Sequence, residues 1–362
     1  MNATASPDQS MVHRLAFVGC FTTAQRKARG TGIDAYRVDP DSGVWQASDH
    51  VPDLVNPSFL ITDATRNVLY CVHGDCDYAT AFAIDAANGR LRSLGRAASG
   101  GTNGVHPALD PSGKFLIVAN YASGSLGVLP VRRDGSLADA TQVLDLPGPI
   151  GPHRSEQRSA HPHHVVFAPS GRFLLVPDKG LDRVFVLAFD SGHGQLAIAG
   201  HAAMRPGAGP RHVVFHPHLP FAFLVNELDS TVVTCRWDDG AGGLDPVHVA
   251  STLPADFFGA STAAEIVVTP DGNHVYVSNR GQNGIAHFAF IAAEQRLVGS
   301  GWTPVRGSDP RFMTLDPTGK ILLVAAEQGD NIAAFRIAEQ DGALSPHGAV
   351  LPCASPCTIA FL

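Results

Sequence analysis

The sequence predicts an all-β fold: a β-propeller of seven four-stranded antiparallel blades, with the ring closed by the C-terminal strand joining the N-terminal blade. Three observations predict it. A phrase of proline, apolar strand, Pro/Gly turn and second apolar strand recurs seven times. No stretch carries a convincing helical period. The two chain ends hold complementary parts of one blade. Four strands every roughly 40–50 residues is the period of propeller blades.

The repeat starts are Asn56-Pro57-Ser58-Phe59, His106-Pro107-Ala108-Leu109, His161-Pro162-His163-His164, Gly209-Pro210-Arg211-His212, Ala264-Glu265-Ile266, Asp309-Pro310-Arg311-Phe312 and Ser355-Pro356-Cys357-Thr358. Each is the first strand of a blade. Turns follow, as at Asp110-Pro-Ser-Gly113, Ala168-Pro-Ser-Gly171, Thr269-Pro-Asp-Gly272 and Asp316-Pro-Thr-Gly319. Proline presets φ and glycine accepts positive φ, so these are type I or II turns. The second strands, such as Phe115–Asn120, Phe173–Asp178 and Phe221–Asn226, are near-continuous apolar runs. That is the composition of strands buried on both faces. Third strands alternate, as over Arg183–Phe189 and Ile332–Ile337. Fourth strands are weaker and carry a Gly-x-Leu signal, as at Gly194-Gln-Leu196.

The N-terminal copy opens on a second strand, Leu15–Gly19, with no first strand before it. The C-terminal copy is a first strand, Cys357–Leu362, with nothing after it. Pairing the two completes a blade and removes the free edges. Residues 1–12 are expected to be a flexible tail, and residues 13–362 one propeller domain. The connector Leu146–Ala160 holds Arg154, Glu156 and Arg158 and is long enough to cover part of one mouth.

Composition narrows the functional classes. The 362 residues are 44% hydrophobic and 16% charged, with a net charge of −7. A nucleic-acid partner would need a basic face, so none is expected. No apolar run approaches the roughly 18 residues of a membrane helix, so no membrane partner is expected. The start MNATASPDQSMVH lacks a basic segment followed by an apolar one. With six cysteines and no C-x-x-C pair, the reading is a cytoplasmic protein with reduced thiols. Cys71 with Cys76, or Cys353 with Cys357, are the pairs expected to come near one another.

Propeller topology says which polar residues meet. First strands start, and second strands end, on one face, and first strands line the channel. Four consecutive blades therefore bring His163 and Asp178, Arg211 and Glu227, Glu265 and Arg280, and Arg311 and Gln328 to one funnel, with Asn120 and Tyr121 beside them. Taken singly, such charges read as structural ion pairs. Taken together, three arginines favour an anionic ligand, because guanidinium matches carboxylate and phosphate. His161 and His163, two apart on a strand, are expected on one face and His164 on the other. Neighbouring arginines oppose a cation there, so no metal and no cofactor are expected. His216 and His218 are expected at the surface of the far face.

Nine phrases resemble the lactonase family of seven-bladed β-propellers, which includes propeller-type 6-phosphogluconolactonases and the fungal carboxymuconate-lactonizing enzyme. They are Gly19-Cys-Phe-Thr22, Ala119-Asn-Tyr121, His161-Pro-His163, Asp178-Lys-Gly-Leu-Asp182, Gly207-Ala-Gly-Pro-Arg-His212, Asn226-Glu-Leu228, Ala264-Glu-Ile266, Ser278-Asn-Arg-Gly281 and Pro310-Arg311. The resemblance implies a metal-independent propeller that opens, or in one branch forms, a lactone ring. It implies catalytic roles for His163, Arg211, Glu227 and Arg280. His161, Asn120, Tyr121, Asp178, Glu265, Arg311 and Gln328 are expected around the substrate. Cys20, Lys179 and Glu327 depart from the family phrases Gly-Thr-Tyr-Thr, Asp-Leu-Gly and Ala-Asn-Gln.

The leading expectation is hydrolysis of a small anionic lactone, a sugar lactone such as 6-phosphogluconolactone. A base, either Glu227 or His163, would activate water. No Gly-x-Ser-x-Gly nucleophile motif occurs, which disfavours an acyl-enzyme. The alternatives are a cycloisomerase acting on an unsaturated dicarboxylate and a non-catalytic binding propeller. Against the last, Trp-Asp occurs once, at Trp237-Asp238.

Overall fold

The computed structural model describes residues 14–39 and 43–362. The expected tail at residues 1–12 lies outside them. Seven antiparallel sheets form a ring. Blade 1 runs from Pro57–Asp63 to Leu91–Ala98, blade 2 from Gly104–Leu109 to Gln142–Asp145, and blade 3 from Val166–Phe167 to Gln195–Ala203. Blade 4 runs from Pro210–Phe215 to Gly243–Ser251 and blade 5 from Thr262–Val268 to Arg296–Pro304. Blade 6 runs from Pro310–Leu315 to Leu344–Pro346, with Leu351–Pro352 added beside its third strand. Blade 7 combines Pro356–Phe361 with Arg14–Cys20, Gly32–Val38 and Trp45–Pro52.

Ring closure follows the expected register, with Ala16 opposite Phe361, Val18 opposite Ile359 and Gly19 opposite Thr358. Seven apolar clusters among the described residues hold the ring, each built from side chains of two adjacent blades. Val18, Ala325 and Ile359 tie blade 6 to blade 7, and Phe17, Leu60 and Leu69 tie blade 7 to blade 1. The turns form as their sequences dictate. Asp110 Oδ1 accepts the N–H groups of Lys114 and Phe115, and Gly113 takes φ of 68°. The helical turns among the described residues are Ala24–Arg26 and Ala292–Glu294. No described helix is long and apolar enough to cross a membrane.

One backbone feature positions the site. The innermost strand is bulged near its start in six blades, with register breaks at Pro57/Phe59, Gly104/His106, Pro210/His212, Ala263/Ile266, Pro310/Phe312 and, in blade 7, opposite Gly19/Cys20. A bulge sets extra residues against one partner and re-aims their side chains. The extra residues are Ser58, Val105, Arg211, Glu265 with Ala264, Arg311 and Cys357.

Two expectations need correction. His216 is buried, not superficial: its Nδ1 accepts the N–H groups of His218 and Leu219, and its ring packs on Phe290. His218 is exposed as expected. All six cysteines are unbridged, and the close pair is Cys20 with Cys353, at 3.6 Å, rather than either expected pair.

Candidate active site

The bulged residues converge on one throat. Ser58, Phe59, Val105, His163, Arg211, His212, Glu265, Arg311, Phe312 and Cys357 line it. Without the bulge, alternation would send either Arg211 or His212 away from the channel. With it, both face inward.

Two polar assemblies share this throat. The first is centred on Glu227, which follows the second strand of blade 4. Its Oε1 lies 2.8 Å from Lys179 Nζ, and its Oε2 lies 3.1 Å from Arg211 Nε and 3.2 Å from Arg280 Nη2. Arg211 also donates to the Ala264 carbonyl, and Arg280 to the Ala263 carbonyl at 3.3 Å. Burial opposes ionisation of Glu227, but Arg280, Lys179 and Arg211 outweigh it and hold the carboxyl far below its ordinary range. Burial, then Arg280 and Arg311, push Arg211 down to about 9, so it stays charged at pH 7. The Arg211 side chain is 2% exposed, whereas those of Arg280 and Arg311 are 16% and 20% exposed. Arg311 lies 3.8 Å from Glu327, which precedes the expected neighbour Gln328, and stacks over Phe21.

The second assembly is a chain of three side chains. Glu265 Oε1 lies 2.7 Å from His212 Nδ1, and His212 Nε2 lies 3.2 Å from His163 Nδ1. Glu265 Oε1 also accepts the Ile266 N–H. With Glu265 ionised, His212 donates from Nδ1 and accepts at Nε2. His163 must then carry its proton on Nδ1, which leaves Nε2 as a lone pair. That Nε2 has no protein hydrogen-bond partner among the described residues. Burial, then Arg211 and His212, hold His163 well below its ordinary value, so it is neutral at pH 7. Burial pushes Glu265 up to about 7, against the pull of Arg211 and His164.

The other sequence-assigned residues divide. Tyr121 presents its edge to His163 at 5.5 Å and stacks on His161 at 4.4 Å, so both stand beside His163. Gln328 is exposed and hydrogen-bonds Glu327. Asn120 and Asp178 do not reach the funnel. Asn120 is fully buried and donates to the Ser99 carbonyl. Asp178 is fully buried and accepts the N–H groups of His161, Gly180 and Leu181. Both direct hydrogen bonds to nearby backbone groups. His164 also departs from expectation. The innermost strand of blade 3 pairs regularly only at Val166–Phe167, so alternation does not apply, and His164 turns into the channel and stacks on His212 at 4.5 Å.

Sequence reasoning did not assign a role to His212, and noted Lys179 only as a family departure. Lys179 is buried and bridges Glu227 to Glu156 of the connector, at 2.8 Å each. Gln157 fastens the same connector to the Lys179 carbonyl and to Asp182. The connector thus reaches the mouth.

The chain matches the family model described as "Lactonase, 7-bladed beta-propeller" over residues 15–361. It is 29% identical to a 6-phosphogluconolactonase of Bacillus subtilis, over 97% of this chain and 99% of the relative. It is 32% identical to a 6-phosphogluconolactonase of Formosa agariphila, over 91% and 94%. Among solved structures, the periplasmic gluconolactonase PpgL of Pseudomonas aeruginosa superimposes with a TM-score of 0.87 at 29% identity, covering 97% of this chain and 99% of that one. Sequence match and blade-by-blade architecture agree over nearly the full length, and the chain belongs to the lactonase family of seven-bladed β-propellers.

Proposed function

We propose that this protein hydrolyses a small anionic sugar lactone, of the 6-phosphogluconolactone type, by general-base activation of water at His163. The observation that carries the reading is the Glu265–His212–His163 chain beside a cluster of fixed cations. The names of the relatives support the substrate class.

Glu227 is not the base, because Lys179, Arg211 and Arg280 occupy both of its oxygens, whereas His163 Nε2 has no protein partner among the described residues. It keeps Lys179, Arg211 and Arg280 in place instead. His163 Nε2 takes a proton from water as the oxygen attacks the lactone carbonyl carbon. The carbonyl oxygen gains the negative charge, and the guanidinium group of Arg211 stabilises it. The intermediate then collapses, the ring C–O bond breaks, and the imidazolium returns its proton to the leaving ring oxygen. The product is a hydroxy acid. Arg280 and Arg311, the two partly exposed guanidinium groups, receive the substrate's phosphate or carboxylate. Lys179 adds no free charge, since Glu227 and Glu156 already bind it. The six unbridged cysteines support a cytoplasmic setting.

The test is a panel of phosphorylated and unphosphorylated sugar lactones, followed by acid release at constant pH with and without chelator. Turnover of an anionic lactone, unaffected by chelator, is the expected result. Failure to turn over any lactone would overturn the reading.

A further inference from the structure

The proposed reaction leaves one cluster of reactive side chains unused, at the seam where the ring closes. Cys20 ends the strand Arg14–Cys20, Asp34 lies in the adjacent strand Gly32–Val38, and Cys353 precedes the closing strand Pro356–Phe361. The two sulfurs are 3.6 Å apart. Asp34 Oδ2 lies 4.0 Å from Cys20 Sγ and 3.9 Å from Cys353 Sγ. Both cysteines are buried and Asp34 is half-buried. His50 Nδ1 holds the other carboxylate oxygen, Oδ1, at 2.8 Å, and the His50 side chain is 39% exposed. The cluster therefore communicates with solvent through Asp34 and His50.

We propose that Cys20, Asp34 and Cys353 form a site for one zinc-like divalent ion that staples the closed ring. With Zn–S of about 2.3 Å and Zn–O of about 2.1 Å, a tetrahedral ion sets its sulfurs about 3.8 Å apart and sulfur from oxygen about 3.6 Å apart. The observed separations differ from these by a few tenths of an ångström. A disulfide would need the sulfurs to close to about 2.05 Å. The carboxylate distinguishes the two chemistries. It contributes nothing to a disulfide and its charge opposes thiolate formation, but it supplies a third ligand to zinc. His50 orients it in the way outer residues orient metal-binding carboxylates. The fourth position falls to water. On binding, the two thiol protons pass to solvent and both sulfurs become thiolate ligands. The site shares no residue with the funnel and does not depend on the lactonase reading. Its ligands join the N-terminal strands to a segment more than 300 residues later, so the ion binds the closed ring and not the open one. The absence of any C-x-x-C pair hid this cluster in the sequence.

The full-length protein, purified with reductant and stripped with chelator, is titrated with Co²⁺ and then Zn²⁺. The expected result is one Co²⁺ per chain with thiolate-to-cobalt charge-transfer absorption, displaced by one equivalent of Zn²⁺. At free zinc about 100-fold above Kd, the folded-to-unfolded ratio rises about 100-fold. Cys353→Ser should abolish the absorption. Asp34→Asn, which keeps both thiols, should weaken binding at least tenfold and serves if the serine variant does not fold. A wild-type protein without the charge-transfer band would overturn the proposal. So would a band insensitive to Asp34→Asn and Cys353→Ser, or a reduced protein that forms only a Cys20–Cys353 disulfide and binds no metal.

Discussion

The Glu265–His212–His163 chain has a direction, and the direction sets the pH profile. When Glu265 is ionised it accepts the His212 Nδ1 proton, and His163 Nε2 is a lone pair. When Glu265 is protonated it donates to His212 Nδ1, His212 donates from Nε2, and His163 must carry its proton on Nε2. The base is then lost. Burial pushes Glu265 up to about 7, so kcat should fall about tenfold per pH unit below that point. Stability should move the other way. The folded-state value lies above the unfolded one, so the stabilising contribution of Glu265 is complete below about 4.3 and is lost as pH rises through about 7. Glu265→Gln keeps the shape and removes the charge. A hydrogen bond to a charged group contributes about 1.5–3 kcal/mol, which converts to roughly a 10–150-fold loss of kcat. The assay is acid release on the best lactone from pH 5.5 to 8.5, with the variant beside the parent. The variant should be slow and should lack the acid limb near 7. A variant of parental rate, or one that keeps the same limb, would refute the relay.

Three further outcomes follow from the geometry. Arg280→Ala and Arg311→Ala should each raise KM by about 10–100-fold with a smaller change in kcat, read from initial rates, because each removes a charged contact to the substrate anion. Glu227→Gln should cost about 3–5 kcal/mol in denaturant unfolding, because it strands three buried or half-buried cations; adding Lys179→Leu should recover part of that loss. Deleting residues 356–362 should abolish cooperative unfolding followed by circular dichroism, because it removes the innermost strand of blade 7 and reopens the ring.

The blade count and the closure were legible because they rest on repetition, which survives local irregularity. Pro57, Pro107, Pro210 and Pro310 mark first strands that the structure forms. The gathering of His163, Arg211, Glu265 and Arg311 in one throat was legible from strand polarity alone. Side-chain direction within the strand was not. A bulge is a one-residue event with no strong sequence signal, and it turns His212 inward beside Arg211. Asn120 and Asp178 end second strands as expected, but their short polar side chains satisfy backbone groups nearby rather than project into the funnel. The Arg-His pair in Gly-Pro-Arg-His was the available hint of a bulge, since two adjacent polar residues at the head of a channel strand fit poorly with strict alternation. Lys179 was visible as a departure from the family phrase, but its two carboxylate partners come from different parts of the chain.

The proposed mechanism stands on His163 as the base of a lactone hydrolase. The measurement that addresses it most directly is kcat for His163→Ala and the parent on one anionic sugar lactone, with the fold of the variant verified by its unfolding midpoint. Loss of a positioned general base lowers the rate about 10²–10⁴-fold, and kcat of His163→Ala should fall in that range with little change in KM. A folded variant that retains turnover within about twofold would contradict it.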